Sequence, residues 1–254
     1  MCILIYDIDG TLTYAYGDIQ DCTGFDTYAF WPLISRHFSI NESALKQSIA
    51  EWDVLMKTEI DPTGSSYRMM QETIRTFISI ASAQTIRDYA KTITLQFFNR
   101  GVLREDAISH LKHNLEIGNT CVFSTGSYQE GAIGFVDGLV EAGLLTLNAA
   151  QKIIISGAIV NWGARILVHA NVRERKIVGL ENTFKASIHE LKPRIAAVFA
   201  DDPLVNDRDI LRLAPKDGAY VIPTNKNRHM QISDSYKYLS WEEIIMSCSS
   251  GMTP

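Results

Sequence analysis

The pattern of apolar and polar residues divides the chain into three regions. Residues 2–6 form a continuous apolar run, typical of a strand buried on both faces of a parallel sheet. Residues 26–100 show helical periodicity that no strand pattern interrupts, and the chain after residue 103 alternates between short apolar strands and helices. Strands that alternate with helices indicate an α/β fold with a parallel sheet. We therefore expect such a sheet, with a helical region inserted after its first strand.

Helix signals divide the inserted region further. Ser39 and Glu42 have the spacing of a capping box, which predicts the start of a helix. The other expected features are a helix end near Lys57, a turn at Asp61-Pro62-Thr63-Gly64, helices over about 65–81 and 83–99, and a stop at Gly101.

The alternating region has its own capping signals. Ser127 and Glu130 predict a helix directly after the strand 120–123, and Ser240 with Glu243 predicts a last short helix. The other expected elements are a helix over about 104–116, strands near 153–156 and 165–169, a helix over about 177–191 stopped by Pro193, and strands over 195–199 and 219–222.

Composition limits the class of protein. With 46% apolar and 21% charged residues, the chain belongs with folded globular proteins rather than with disordered ones. The net charge of −5 provides no global attraction for nucleic acid or for an anionic membrane, so neither is an expected partner.

The four cysteines are scattered without paired spacing, which argues against a disulfide scaffold or a zinc knuckle and fits a reducing compartment. No apolar stretch approaches the roughly 18 residues of a membrane span, and the first residues lack a basic signal-peptide region. The cytoplasm is the expected location.

Polar residues follow three of the predicted strands, at the point where each strand ends. They are Asp7 and Asp9, Ser124 and Thr125, and Asp201 and Asp202. In parallel α/β sheets, ligands bind at the carboxyl ends of the strands. The sequence therefore predicts a functional site at this edge of the sheet.

The strongest local motif is the heptapeptide Asp7-Ile8-Asp9-Gly10-Thr11-Leu12-Thr13. Asp-Gly alone is a common turn, but the whole heptapeptide after an apolar strand resembles the nucleophile motif of the haloacid dehalogenase-like hydrolases. Ser124 resembles the second motif of that superfamily. The residues that resemble its acidic fourth motif are Asp201 and Asp202 with Asn206 and Asp207.

The resemblance covers residues 1–13 and about 104–222. A helical insertion directly after the first motif is similar to the branch with helical caps, such as the phosphoserine phosphatases. The resemblance implies a Rossmann-like core domain over 1–13 and 104–254. Residues 14–103 would then form a helical cap domain, hinged near Thr13 and Leu103.

The resemblance also implies a Mg²⁺-dependent phosphatase that acts on a small phosphomonoester. Asp7 would attack phosphorus and form an aspartyl phosphate, and Asp9 would act as general acid and base. The implied metal ligands are Asp7, the backbone carbonyl of Asp9, and Asp201. The Ser124 hydroxyl and the amides near Thr125 would hold the phosphate. In the superfamily, a residue other than Asp at this position accompanies dehalogenase or phosphonatase chemistry, so the resemblance implies phosphate ester hydrolysis or phosphoryl transfer here.

The chain departs from the pattern of the family at two places. Thr125 stands where phosphoserine phosphatases usually have Gly, and Ala200 stands where Gly usually precedes the first acid of the fourth motif. Two pairs of residues in that motif have the spacing that is conventional for the family, namely Asp201 with Asn206 and Asp202 with Asp207. We favour Asp201 as the metal ligand because it directly follows the strand, and Asp202 then fits a helix cap.

The third motif of the superfamily is a lysine or arginine that offsets the charge of the aspartates and the phosphate. A helix that joins two parallel strands starts at the carboxyl edge of the sheet, so the start of the predicted helix 177–191 lies near the site. Lys176 stands at this start, and we predict that it fills the role, with Arg173 as the second choice. The other candidates are Arg175, Lys185 and Lys192.

Two other functions fit the same motifs. One is a phosphotransferase, in which a hydroxyl other than that of water accepts the phosphoryl group, and the other is a non-catalytic protein that binds a partner. The long insertion favours small substrates because it can cover the site. Arg36, Arg68 and Arg75 are candidates for binding an anionic substrate, although solvated helix faces explain them equally well, and His110 and His113 are assigned to a solvated helix face.

Overall fold

The structure, a computed structural model, describes residues 2–15, 29–58, 62–225, 227–230 and 235–249. Its strands are β1 Ile3–Tyr6, β2 Thr120–Tyr128, β3 Ile154–Asn161, β4 Ile166–His169, β5 Ile195–Ala200, β6 Ala219–Val221 and β7 Lys237–Tyr238. They form one sheet in the order β4-β3-β2-β1-β5-β6-β7. All described neighbours are parallel except β3 and β4, which are antiparallel. The predicted α/β class with a Rossmann-like parallel sheet is confirmed.

Helices surround this sheet. They are α1 Phe30–His37, α2 Glu42–Thr58, α3 Pro62–Glu72, α4 Ala83–Asn99, α5 Glu105–Glu116, α6 Gln129–Glu141, α7 Leu147–Ala150, α8 Arg175–Phe184, α9 Ile188–Leu191, α10 Arg208–Leu211 and α11 Trp241–Ser249. A π-helical turn at Thr73–Phe77 extends α3, and a 3-10 turn at Lys192–Arg194 follows α9. Among the described residues, no helix combines the length and the apolar character needed to cross a membrane.

The first strand lies at the centre of the sheet and is buried on both faces, as its continuous apolar run predicts. Leu4 and Tyr6 pack into one hydrophobic core, whereas Ile3 and Ile5 pack into a second core on the other face. Tyr6 pairs with residues at positions 123 and 199 of the two neighbouring strands. The residues that follow β1, β2 and β5 therefore meet at one edge of the sheet.

Two predicted features of the insertion are wrong. Asn41 caps α2 by accepting a hydrogen bond from the N–H of Ala44 (3.1 Å), and Ser39 instead accepts from the N–H of Asn41 (3.2 Å). The helix therefore begins at Glu42, not at a Ser39–Glu42 capping box. The predicted turn at 61–64 is a helix start from Pro62 onward, because proline suits the first turn of a helix, while Asp61 lies outside the described residues.

Three predictions for the alternating region also differ from the structure. The strand β2 continues to Tyr128, so α6 begins at Gln129 without a Ser127–Glu130 capping box. The single helix expected over 177–191 is broken at Lys185, which is left-handed with φ 52°. His110 is not solvated but packs against Tyr6, Phe199 and Trp241, with ring centroids 5.1–6.0 Å apart.

The Ser240–Glu243 capping box is confirmed. The Glu243 carboxylate accepts a hydrogen bond from the N–H of Ser240 (2.7 Å), and the Ser240 hydroxyl accepts from the N–H of Glu243 (3.3 Å).

The inserted region leaves and re-enters the core at one place. Thr13 and Leu103 form an isolated antiparallel bridge. On either side of it, the N–H of Tyr14 donates to the carbonyl of Val102 (2.8 Å), and the N–H of Arg104 donates to that of Leu12 (3.0 Å). The insertion is therefore joined to the core by a short two-stranded neck.

Helices α1, α3 and α4 of the insertion contact the core beyond this neck. α4 packs closely along α6, since a Cβ atom at Gly134 would overlap the carbonyl oxygen of Arg87. α3 lies against the edge strand β4, where the Tyr67 hydroxyl donates to the carbonyl of Leu167 (2.8 Å). The Gln71 side chain accepts from the N–H of Leu167 (2.8 Å) and donates to the carbonyl of Arg165 (2.9 Å).

Candidate active site

A buried ion-pair cluster lies at the carboxyl edge of the central strands. Asp7 directly follows β1, and its N–H donates to the carbonyl of Phe199 (2.9 Å). Lys176, in the first turn of α8, donates from Nζ to Asp7 Oδ1 (3.0 Å), to Asp207 Oδ1 (2.5 Å) and to the Ser124 carbonyl (3.2 Å). All three charged side chains are buried. The structure thus brings the predicted nucleophile and the predicted lysine into direct contact.

A third carboxylate completes the cluster. Asp7, Asp201 and Asp207 each offer a carboxylate oxygen, and these oxygens lie within 4.8 Å of one another. The Asp201 carboxylate lies against Gly10, where a Cβ atom would overlap it and where φ is +78°. Glycine meets both conditions because it lacks a Cβ atom and adopts positive φ without strain.

Burial sets the protonation of these groups. It raises the pKa of Asp7 to about 6 and that of Asp207 to about 7, although the charge of Lys176 opposes both shifts. Burial alone would lower the pKa of Lys176, but the carboxylates of Asp207 and Asp7 outweigh it and raise that pKa. Two buried carboxylates share one ammonium group, so additional positive charge would be favoured there.

The donor set of this cluster fits a hard cation. The three carboxylates supply only oxygen, and Mg²⁺ prefers oxygen ligands in this kind of site. Asp201 belongs to the cluster, whereas Asp202 accepts from the N–H of Val205 (3.0 Å) and closes its own turn. Asp207, which the sequence analysis did not choose as a site residue, lies inside the cluster. Its only signal was the conventional Asp202–Asp207 spacing of the fourth motif.

The Asp9 side chain lines the same cavity as Asp7. Its Oδ1 accepts a hydrogen bond from the N–H of Phe30 (3.0 Å), the first residue of α1. The predicted acid and base is therefore tied to the first helix of the insertion.

Ser124 lies beside Asp7 in the parallel register, and its hydroxyl is buried without a hydrogen-bond partner among the described residues. The Thr125 hydroxyl accepts from the N–H of Ser127 (3.1 Å). Gly126 and Ser127, which sequence reasoning missed, are the residues of this segment that line the cavity. The helix predicted directly after Ser124 starts only at Gln129, because β2 changes register between Ser124 and Tyr128 and continues.

The other candidates for the third motif do not line the cavity beside the cluster. Lys185 ends α8, and Lys192 stands in the 3-10 turn before β5, at the opposite edge of the sheet. Arg173 adopts φ 52°, and its Nε is buried without a hydrogen bond to any described residue. None of these three side chains lines the cavity that contains Asp7.

The cavity next to the cluster has a volume of about 320 Å³. The insertion contributes part of its wall, with Trp31 of α1 and Ser66, Met69 and Met70 of α3. Sequence reasoning did not identify the three residues of α3, because residues far apart in the chain carry no sign that they share a wall. Arg36, Arg68 and Arg75 do not line it. Arg36 is paired with Glu42 (3.0 Å), and Arg68 and Arg75 border a shallow groove on α3.

The chain is similar in structure to several solved proteins. A protein with unknown function from Bordetella pertussis Tohama I matches with TM-score 0.56 and 14% identity, over 94% of this chain and 98% of that chain. Cytosolic 5'-nucleotidase IIIB bound to cytidine matches with TM-score 0.59 and 10% identity, over 99% and 88%. A phosphoserine phosphohydrolase-like protein from Francisella tularensis subsp. tularensis SCHU S4 matches with TM-score 0.50 and 13% identity, over 97% and 99%. No protein-family model and no curated protein matches the sequence.

At these identities the structural likeness establishes the fold and not the activity. Together with the order of the sheet and the placement of the first motif after its central strand, it leads to one conclusion. The chain has the fold of the haloacid dehalogenase-like hydrolases.

Proposed function

We propose that the protein is a phosphatase that hydrolyses a small phosphomonoester, with Asp7 as the nucleophile. The observation that carries this proposal is the buried contact between Lys176 Nζ and Asp7 Oδ1 (3.0 Å), beside the carboxylates of Asp201 and Asp207. A carboxylate can attack phosphorus when a fixed cation offsets the charge of the incoming phosphate. The cluster also faces a cavity large enough for a small ester.

In the first step, an Asp7 oxygen forms a bond to phosphorus while the ester P–O bond breaks. The leaving alkoxide oxygen takes a proton from Asp9, whose side chain lines the same cavity. The products of this step are the free alcohol and an aspartyl phosphate on Asp7.

In the second step, the ionised Asp9 takes a proton from water, and the water oxygen attacks phosphorus. The P–O bond to Asp7 breaks, which restores the Asp7 carboxylate and releases inorganic phosphate. The proton that Asp9 gave to the alcohol is replaced by the one taken from water, so the enzyme returns to its starting state.

Lys176 holds the reacting groups in this scheme. Its contacts with Asp7 and Asp207 fix the position of the nucleophile, and its charge offsets that of the phosphoryl group. Ser124 and Thr125 are the proposed phosphate ligands. The buried Ser124 hydroxyl, which has no partner among the described residues, supports this role.

We also propose that the site binds Mg²⁺ through Asp7, the backbone carbonyl of Asp9, and Asp201. The buried oxygen cluster supports this assignment, and Asp207 contributes negative charge beside it. A bound ion would supply positive charge between the carboxylates and the phosphate.

Residues 14–103 are proposed to act as a cap over the core formed by 1–13 and 104–254. Trp31, Ser66, Met69 and Met70 support this division because they close one side of the cavity. A site covered in this way would admit small molecules and exclude folded phosphoproteins.

Phosphate release from a panel of phosphorylated metabolites tests the proposed activity. Asp7→Asn should remain folded and lose turnover, since an amide is a poor nucleophile, whereas the exposed Asp217→Asn is the matched control and should retain it. Beryllium fluoride, a mimic of the phosphoryl group, should bind the wild type and not Asp7→Asn. Substantial turnover by folded Asp7→Asn would exclude the mechanism. Product analysis with added alcohols separates hydrolysis from transfer.

A further inference from the structure

The Asn171 side chain ties together two neighbouring strands at the carboxyl edge of the sheet. It is fully buried, and its Nδ2 donates hydrogen bonds to the carbonyls of Thr125 on β2 (2.9 Å) and of Ser156 on β3 (2.8 Å). Its Oδ1 accepts from the Ser156 hydroxyl (3.4 Å) and lies 3.4 Å from Nε2 of His169. The carboxamide therefore uses both of its N–H groups and its carbonyl oxygen.

These contacts lie at an irregularity of the sheet. The register of β2 against β3 shifts between Ser124 and Tyr128, so residues 125–127 of β2 stand opposite the single residue Gly157 of β3. A bulge of this kind leaves its extra residues out of the hydrogen-bonded ladder. Gly126 is at the centre of the bulge and lines the cavity of the candidate site. Its N–H is therefore not paired within the sheet.

The hydrogen bond from Asn171 fixes the plane of the peptide between Thr125 and Gly126. In a trans peptide, the carbonyl oxygen and the N–H that follows it point in opposite directions. Because the Thr125 carbonyl points to Asn171, the Gly126 N–H points away from it. Asn171 itself does not line the cavity, so its influence on the cavity passes through this peptide.

The segment that contains Asn171 also holds a second carbonyl of β2. Lys176, shortly after Asn171 in the chain, donates from Nζ to the carbonyl of Ser124 (3.2 Å). Asn171 also packs closely against α8, since a Cβ atom at Gly179 would lie 2.1 Å from its Oδ1. Two consecutive carbonyls of β2 and the helix that carries Lys176 are thus fixed relative to one another.

From these contacts, we infer that Asn171 is a positioning residue, which presents the Gly126 N–H to the phosphate group of a ligand. An N–H that is already oriented binds an anion better than a mobile one, because no reorganisation is needed on binding. The inference rests on the proposed function for the identity of the bound group. It does not require turnover, since phosphate binding is measured on its own.

Calorimetric titration with inorganic phosphate in the presence of Mg²⁺ tests this role. Asn171→Ala should weaken phosphate binding by at least about tenfold, the effect expected when a hydrogen bond to a charged group is lost. Asn114→Ala is the matched control, because Asn114 is also buried and donates to a main-chain carbonyl, that of His110 on α5 (2.9 Å). Both variants should lower the melting temperature, whereas only Asn171→Ala should lower the phosphate affinity. Wild-type affinity in folded Asn171→Ala, or an equal loss in Asn114→Ala, would overturn the inference.

Gly179→Ala displaces the carboxamide without removing it and gives a second measurement if Asn171→Ala does not fold. The added Cβ would overlap Asn171 Oδ1, so phosphate binding should weaken several-fold although alanine favours a helix more than glycine does. In the Asn171→Ala background this overlap is gone, and Gly179→Ala should have no further effect on phosphate affinity. Full additivity of the two substitutions, or wild-type affinity in folded Gly179→Ala, would contradict the inference.

The Gly126 amide provides a spectroscopic readout that a change in stability alone does not move. In proton–nitrogen correlation spectra of protein labelled at glycine, its signal should shift when phosphate saturates the wild type, and it should shift less in Asn171→Ala. An unchanged Gly126 signal in the phosphate-saturated wild type, or no phosphate binding by the wild type, would overturn the inference. The expected binding pattern without turnover of any phosphomonoester would instead remove the phosphatase proposal and leave the inference standing.

Discussion

Asp9 caps helix α1 from a distant position in the chain, because its Oδ1 accepts a hydrogen bond from the N–H of Phe30 at 3.0 Å. Ala29 stands at the N-cap position and has no side chain that could accept this bond. The side chain proposed as general acid and base therefore also holds the first helix of the insertion.

Asp9→Asn should separate these two roles. The asparagine carbonyl can still accept from Phe30, so thermal stability should stay close to that of the wild type, while kcat falls by about 10²–10⁴ because the amide cannot transfer the proton. Asp9→Ala should lose the cap as well and be destabilised by about 1 kcal/mol. Kinetics and denaturant unfolding measure both effects. A folded Asp9→Asn with wild-type kcat would contradict the proton-transfer role.

Lys176→Ala should lower kcat by roughly a hundredfold or more, because a charge aimed at a transferring phosphoryl group supplies several kcal/mol of transition-state stabilisation. Lys192→Ala is the matched control and should be nearly neutral, since Lys192 lies in the turn before β5. Steady-state kinetics with one phosphomonoester compares them. Equal small effects at the two positions would show that the assignment of Lys176 is mistaken.

Mg²⁺ should raise the melting temperature of the wild type, because a ligand that binds only the folded state stabilises it. Asp201→Asn should abolish this shift, whereas Asp202→Asn should preserve it because Asp202 closes its own turn with Val205. EDTA should stop turnover and added Mg²⁺ should restore it. A thermal shift lost in Asp202→Asn but kept in Asp201→Asn would reverse the choice between the two acids.

Gln71→Ala should destabilise the protein by about 1–2 kcal/mol. The Gln71 amide satisfies both the N–H of Leu167 and the carbonyl of Arg165 on the edge strand β4, and both bonds would be lost. Gln47→Ala, which removes an exposed hydrogen bond to Glu51 on α2, should have little effect. Equal unfolding free energies for the two variants would mean that the contact between α3 and β4 does not contribute to stability.

His110 should make stability fall on acidification. Burial lowers the pKa of His110 to about 4, whereas the unfolded chain takes up this proton near pH 6.5. The unfolded state therefore gains protons first, and stability is lost as the pH falls from about 7 towards 4, by roughly 3 kcal/mol at most. Asp7 and Asp207, with raised pKa values, act in the opposite direction, so the comparison with His110→Phe isolates the histidine. The decline between pH 7 and 5 should be smaller in His110→Phe; an equal decline would contradict this account.

Much of the fold could be predicted because the relevant signals are local. The apolar run after Cys2, the Ser240–Glu243 capping box and the helix over 83–99 each depend on a few neighbouring residues. The errors have the same local origin. Ser39 and Ser127 each have the spacing of a helix cap. Asn41 rather than Ser39 caps α2, and Ser127 lies within β2, which pairs with β3 as far as Tyr128.

The site was predictable only as far as its residues lie at strand ends. The topology rule was sufficient to predict that Lys176 lies near Asp7, because a helix between parallel strands starts at the carboxyl edge of the sheet. Asp207 was missed because its contact with Lys176 depends on how the turn after Asp202 folds. The cavity wall of Trp31, Met69 and Met70 depends on how the insertion packs, which no local pattern records.

The bridge between Thr13 and Leu103 means that the insertion is a closed loop whose two ends are already joined. The entropy lost on closing a loop grows only logarithmically with its length, by about 0.6 kcal/mol for each doubling. Segments between α1 and α3 can therefore be lengthened, shortened or exchanged at small thermodynamic expense, provided that the contact of α4 with α6 is kept. This architecture lets the insertion diverge while the aspartates and the lysine of the proposed site stay in place.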